Sequence, residues 1–273
     1  MGNIANFLTM QLQRGIEYTT LNTYRSAISA YHPEIDNRPI GQHPRITQLL
    51  RGAFNRKPPS PKYLNTWDVN VVLEMIKRLG DNKDLSLKQL TKKLAMLFAL
   101  ASAARGSELT KLDPTMMDDT GDTVICRITK LTKTASAKHP VKEIILYEFS
   151  KDEQLDVVRC LREYLTKTSL LRMSPEQKHS LFLGYTKPHK PVTTSTIARW
   201  LKDIMSLANI DTTVYKAHST RSAATSKALA HGLSTQQIMK CANWARASTF
   251  HKFYRKPIVQ TAQVEFQQKV MAL

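Results

Sequence analysis

Apolar residues recur at helical intervals along most of this chain, and one stretch breaks that rhythm. Residues 3–14 read as a helix closed by Gly15. Residues 20–31 space Leu21, Tyr24, Ile28 and Tyr31 along one helical face, and residues 43–54 do the same with Ile46, Leu49, Leu50 and Phe54. Three short helices make a small domain with little core. Next comes NRKPPSPKY (55–63), with Pro58, Pro59 and Pro61 close together. Proline blocks helix and favours extended backbone, so residues 58–63 are expected to form a linker between a domain at 1–57 and another at 64–273.

Helical spacing resumes at 66–79 (Val69, Val72, Leu73, Ile76) and at 87–104 (Leu90, Leu94, Leu97, Leu100). The change comes at 123–149. Two β-branched runs, 123–129 and 141–147, flank a lysine-rich polar bend, which predicts a hairpin with room for a third short strand nearby. Helices are then expected at 152–166, 195–208, 220–231 and 234–242. Gly232 suits the C-cap of the third of these, and Ser234 with Gln237 forms a capping-box pattern at the start of the fourth. Asn243 suits a helix end, with Ser248 or Thr249 as cap of a short helix carrying Phe250 and Tyr254. The pattern as a whole predicts a mainly α fold with a small antiparallel β-sheet.

Charge narrows the function. The 273 residues hold 40 Lys and Arg against 22 Asp and Glu, a formal charge of +18. Such an excess disfavours compaction unless a polyanion relieves it. Nucleic acid is the first candidate partner and an anionic membrane the second. Both expected domains are positive, so both can face the same polyanion. There is no unbroken apolar run of transmembrane length, no signal-peptide pattern, and no fit of MGNIAN to the myristoylation pattern. The three cysteines, Cys126, Cys160 and Cys241, are far apart and form no CxxC or Cys/His cluster. No structural metal is expected, and a reducing compartment fits.

Four local features carry candidate chemistry. Arg105 follows the small uncharged run ALASAA, which sets its head group at the edge of the core. Lys130, Lys133 and Lys138 crowd the hairpin bend, where they either protect a strand edge or meet phosphates. In AHSTRSAATS, His218 and Arg221 share one helical face among small residues that should leave both heads accessible, near a helix start that offers free N–H groups. Last, CANWARASTFHKFYRKP (241–257) sets Trp244, Phe250, Phe253 and Tyr254 among cations that include Lys252, Arg255 and Lys256, too much charge for a core and too many rings for a loop. Each feature alone has a bland reading as solvated surface or packing. Taken in order, they supply what phosphoryl transfer needs: a hydroxyl nucleophile, cations for the non-bridging oxygens and an acid for the leaving oxygen.

Here the chain resembles the tyrosine recombinases, or phage integrases, over nearly its whole length. Ala104-Arg105-Gly106-Ser107-Glu108 matches the family's A-R-x-x-E context, and His218-Ser219-Thr220-Arg221 its H-x-x-R box. Trp244 fits the position that is His in many members, and Tyr254 follows Arg221 and Trp244 at close to the usual spacing. Lys133 in LTKT is the best match for the hairpin lysine, with Lys130 as fallback. The phrases STFHKFY, TWDVNVVL after the proline-rich segment, and VTTSTIARWL are most similar to eukaryotic mobile-element members of the DIRS or Crypton kind.

The resemblance implies a C-shaped clamp, made of a SAM-like core-binding domain, short at its N-terminus, and a catalytic domain. It implies a site-specific recombinase or integrase that cleaves and rejoins DNA through a 3′-phosphotyrosyl link, without cofactor, metal or ATP. Arg105 and Arg221 would hold the scissile phosphate, Lys133 would protonate the leaving 5′-oxygen, and His218 would assist proton transfer at Tyr254. Trp244 would pack beside the phosphate, and Glu108 would orient the basic side chains around it. Arg25, Lys130, Arg199, Lys252 and Arg255 would contact DNA, with Arg25 in TLNTYRSAIS and Arg199 in STIARWLKDI on helices expected to enter grooves. The apolar stripe Val259, Ala262, Phe266, Val270 and Leu273 would dock on its own domain or in trans within a tetramer. A nuclear location follows from the mobile-element resemblance. Two alternatives stand beside this reading: a catalytically silent DNA-binding descendant of a recombinase, and a type IB topoisomerase-like enzyme.

Overall fold

The computed structural model describes residues 1–60, 63–128, 130, 143–244, 247–259 and 270–271. The chain divides into two compact units, Met1–Lys62 and Tyr63–Leu273.

The first unit is three helices, α1 (Gly2–Gln13), α2 (Tyr18–Tyr31) and α3 (Pro44–Arg56). Gly15, at φ +82°, turns the chain out of α1, a conformation that glycine adopts at little cost. Pro44 takes the first position of α3, where its missing N–H removes no hydrogen bond, and the His43 Nδ1 accepts from the Arg45 N–H at 3.3 Å. Leu8, Leu21, Ile40, Ile46, Leu50 and Ala53 form the whole core, small as the sequence pattern predicts.

The second unit opens with α4 (Val69–Arg78), α5 (Leu87–Ser102) and the single turn α6 (Gly106–Leu109). A three-stranded antiparallel sheet follows in the order β1 (Leu112–Asp119), β2 (Thr123–Ile128), β3 (Glu143–Tyr147). Then come α7 (Val157–Thr168), α8 (Pro175–Lys178), α9 (Thr194–Leu207), α10 (Ser219–Ala230), α11 (Thr235–Ala242) and α12 (Ala247–Phe253). The fold is thus mostly helical with one small sheet. No described helix is long and apolar enough to cross a membrane.

Helix α5 is the axis of this unit. Its Leu90, Leu94, Leu97 and Phe98 are buried against Val158, Leu161 and Tyr164 of α7 and Ile197, Trp200 and Ile204 of α9. Burying each such side chain contributes roughly 1.5–3 kcal/mol, enough to fix where α5 ends. It ends at Ala103, which takes the left-handed conformation at φ +48°. That turn presents Arg105. The sheet packs through alternate residues: Val124, Cys126 and Ile128 of β2 and Ile144 and Leu146 of β3 point inward.

Three boundaries differ from the sequence pattern. The helix expected at 66–79 starts at Val69, because Asp68 caps it and Thr66 pairs in parallel with Ile258. The helix expected from residue 152 starts at Val157, where the Asp156 carboxylate accepts the Val158 and Arg159 N–H groups. Ser248 and Thr249 lie inside α12 rather than at its cap, and Tyr254 follows its last residue while still donating its N–H to the Phe250 carbonyl at 2.9 Å. The third strand is β1, on the sheet edge, where Pro114 and an irregular register are tolerated. The hairpin bend at 131–142 and most of the apolar stripe at 259–273 lie outside the described residues.

Candidate active site

Helix ends build the site. Arg105 caps the start of α6, and its backbone N–H and Nη1 both donate to the Glu108 carboxylate, at 3.0 and 2.6 Å. Glu108 is buried, at 3% exposure, so this carboxylate must be paired to be tolerated. Its second oxygen also lies 3.9 Å from Nη1 of Arg221 on α10. One buried carboxylate therefore serves two guanidinium groups, and the pocket keeps a net positive charge.

Arg221 is not accessible as the small residues around it suggest; it is 1% exposed. Small neighbours instead let backbone close over it. Its Nη1 donates to the Ala103 carbonyl at 2.7 Å and its Nη2 to the Ala242 carbonyl. These are orphan acceptors at the C-terminal ends of α5 and α11, where the helix dipole also favours a cation. Burial and the nearby Arg105 lower the Arg221 pKa to about 10, so it stays charged at neutral pH. Its Nε is buried and finds no hydrogen-bond partner among the described residues.

Asn243, left-handed at φ +51°, ends α11 and turns Trp244 inward. The indole lies 4.6 Å from the Arg221 guanidinium, stacks on Phe250 and meets the Tyr254 ring at 4.5 Å. Its Nε1, like Arg221 Nε, is a buried donor without a partner among the described residues. The Tyr254 hydroxyl lies 2.8 Å from His218 Nε2. His218 keeps an exposed edge, as its small neighbours suggest, but desolvation of its ring by the surrounding protein, then the positive charges of Arg221 and Arg105, lower its pKa. A neutral ring can accept the tyrosine proton at Nε2, provided Nδ1 carries the ring hydrogen. Arg105, Glu108, His218, Arg221, Trp244 and Tyr254 thus converge on one place, carried by α6, α10, the end of α11 and the end of α12.

The family model of the phage integrase family matches residues 68–260, most of the chain. The chain belongs to the phage integrase family. It is an enzyme of the tyrosine-recombinase class, and solved recombinases share its fold. The XerH site-specific recombinase, in a post-cleavage complex on palindromic difH substrate, aligns at TM-score 0.61 with 15% identity, covering 97% of this chain and 70% of that one. The Tn1549 transposon integrase, in complex with transposon right end DNA, aligns at 0.63 with 13% identity, covering 100% and 85%. A lambda integrase dimer bound to a COC′ core site aligns at 0.53 with 14% identity, covering 93% and 63%. No curated protein matches the chain.

The other candidate residues of this phage integrase are all lysines and arginines. Lys133 is outside the described residues, and Lys130 is exposed just beyond β2. Lys252 and Arg255 are exposed on either side of Tyr254, and Arg199 is exposed on α9 beside the buried Trp200. Arg25, in the first unit, is half-buried with Nη1 3.5 Å from the Gly41 carbonyl, so much of its donor surface faces its own unit. The sequence reading missed the residues that hold Tyr254 from behind. Ser222 and Ser226 both donate to its backbone carbonyl, at 3.0 and 2.9 Å. Lys256 Nζ donates to the Tyr63 carbonyl at 2.7 Å, and Trp67 Nε1 donates to Ser219 Oγ at 2.9 Å. The run of serines in α10 was the available signal, legible as small but not as donors aimed at another segment.

Proposed function

We propose that this protein is a site-specific DNA recombinase whose nucleophile is Tyr254. The observation that carries the reading is the 2.8 Å contact between the Tyr254 hydroxyl and His218 Nε2, beside two guanidinium groups that share one buried carboxylate. Tyr254 Oη attacks the scissile phosphorus and gives its proton to neutral His218. The Oη–P bond forms as the P–O5′ bond breaks. The leaving 5′-oxygen takes a proton from Lys133, or from Lys130 if that is the acid. Arg105 and Arg221 bear on the non-bridging oxygens, where charge builds in the transition state. Arg221 Nε and Trp244 Nε1 are buried donors left without a partner among the described residues, beside the place where that phosphate would sit. Attack by a 5′-hydroxyl on the phosphotyrosyl link then rejoins a strand with no input of energy.

The exposed cations Lys130, Arg199, Lys252 and Arg255 favour duplex DNA as partner. Phosphate contacts of this kind give log–log salt slopes of about −0.9 per phosphate neutralised. The DIRS- or Crypton-like phrases support a eukaryotic mobile-element origin and nuclear action, and the recombinase resemblance supports a tetramer on DNA, with the C-terminal segment docked on its own domain or, on DNA, on a neighbour.

Covalent trapping tests the reading. The protein is incubated with supercoiled plasmid and with nicked element-end duplexes, then quenched in detergent, with Tyr254→Phe alongside. An adduct lost in the variant supports the assignment. One that survives places the nucleophile elsewhere. Strand exchange between two duplexes separates recombination from topoisomerase action, which needs one.

A further inference from the structure

Tyr254 stands one residue past a seven-residue helix, too short to hold its own end in water. Its carbonyl, beyond the last turn, has no intrahelical partner. Two serines of α10 fill that need. Ser222 and Ser226 are one turn apart on the same face, both buried, and each donates its hydroxyl hydrogen to the Tyr254 oxygen. Ser226 Oγ also accepts the Lys256 N–H at 3.1 Å. A buried mid-helix hydroxyl ordinarily bonds back to its own helix, as Thr225 does to the Arg221 carbonyl at 2.8 Å. Ser222 and Ser226 do not; they reach across to α12's end. The helix that grips the nucleophile's backbone is also the one that carries Arg221 and follows His218 at its N-cap.

We infer that Ser222 and Ser226 are positioning residues, which set the Tyr254 hydroxyl against His218 and at a fixed distance from the phosphate held by Arg221. The inference rests on the reading of Tyr254 as nucleophile. The serines are buried and bond to the tyrosine backbone rather than to its hydroxyl. They act through the tyrosine backbone, by removing the freedom of the segment that carries the attacking oxygen.

The test uses the full chain with S222A, S226A, the double variant and Y254F. Adduct formation on supercoiled plasmid is followed at saturating protein, with DNA affinity measured separately. Each serine variant is expected to form adduct about tenfold more slowly, the rate equivalent of one lost hydrogen bond, and the double variant more slowly still. DNA affinity should stay within twofold. A second readout needs no DNA: the ring NMR signals of His218, assigned with H218Q. In the double variant they should move toward those of Y254F, while the signals of His43 and His189 stay in place. A double variant with the wild-type rate and unmoved His218 signals overturns the inference. If the wild-type protein yields no Tyr254-dependent adduct, the proposed function fails while the His218 signals still decide the positioning: moved signals uphold it and unmoved signals overturn it.

Discussion

Replacing Arg221 by lysine keeps the charge and removes the fork. In the structure the two ends of that fork satisfy carbonyls on two different helices, Ala103 after α5 and Ala242 at the end of α11. An ammonium group can reach one of them. The other is left buried and unsatisfied, at a cost of about 1–3 kcal/mol. The loss of the planar group facing Trp244 at 4.6 Å adds to this, by roughly 0.5–1 kcal/mol. Taking about 2.5 kcal/mol in all, and a urea dependence of about 2.5 kcal/mol per molar, the midpoint should fall by about 1 M. Trp67, Trp200 and Trp244 are the chain's three tryptophans and all lie in the second unit, so their fluorescence reports the unfolding of that unit alone. Arg105→Lys is the internal control: its side chain serves Glu108 alone among the described partners, and an ammonium keeps that charge pair at the loss of about one hydrogen bond, so a shift below about 0.4 M is expected. Equal midpoints for wild type and Arg221→Lys would refute the claim that the fork ties the two helix ends together, and any activity lost by the lysine variant would then be a matter of phosphate contact alone.

Two further predictions follow from the titratable groups. His218, though partly open to solvent, is held below its ordinary value of 6.5 by desolvation of its ring and by Arg221 and Arg105, so the unfolded chain binds its proton more readily than the folded one. Its contribution to stability is present above pH 6.5 and is lost as pH falls from there through the lowered folded value; thermal melting at stepped pH should show this loss, and it should shrink in His218→Gln. Cys126 and Cys160 are buried, with thiols pushed up to about 12, whereas Cys241 is exposed; a thiol reagent at pH 8 should titrate one cysteine in the folded protein and three after denaturation, and reaction of Cys126 or Cys160 in the folded state would show that the core opens.

The helices with a strong apolar stripe were legible, because burial against one face is a local property of the sequence: Ile46 and Leu50 of α3, and Leu90, Leu94 and Leu97 of α5, are buried as their spacing implies. So was the capping box of α11, where Ser234 and Gln237 exchange hydrogen bonds as predicted. His218 and Arg221 share a helix and a site, as their spacing requires. What could not be read is whatever depends on distant partners. Arg221 was expected to be accessible; its burial follows from carbonyls 118 and 21 residues away. The serines behind Tyr254 look like filler in AHSTRSAATS until α12 is laid across them. Strand β1 hid behind Pro114 and its acidic end, since an edge strand tolerates both.

The pairing of Thr66 with Ile258 has a mechanical meaning. The Thr66 N–H donates to the Pro257 carbonyl and the Val259 N–H to the Thr66 carbonyl, each at 2.8 Å. Lys256 reaches the Tyr63 carbonyl from 193 positions along the chain. These bonds tie the backbone that opens the second unit to the backbone just after Tyr254, so a pull on Tyr63 would load the pairing beside the tyrosine.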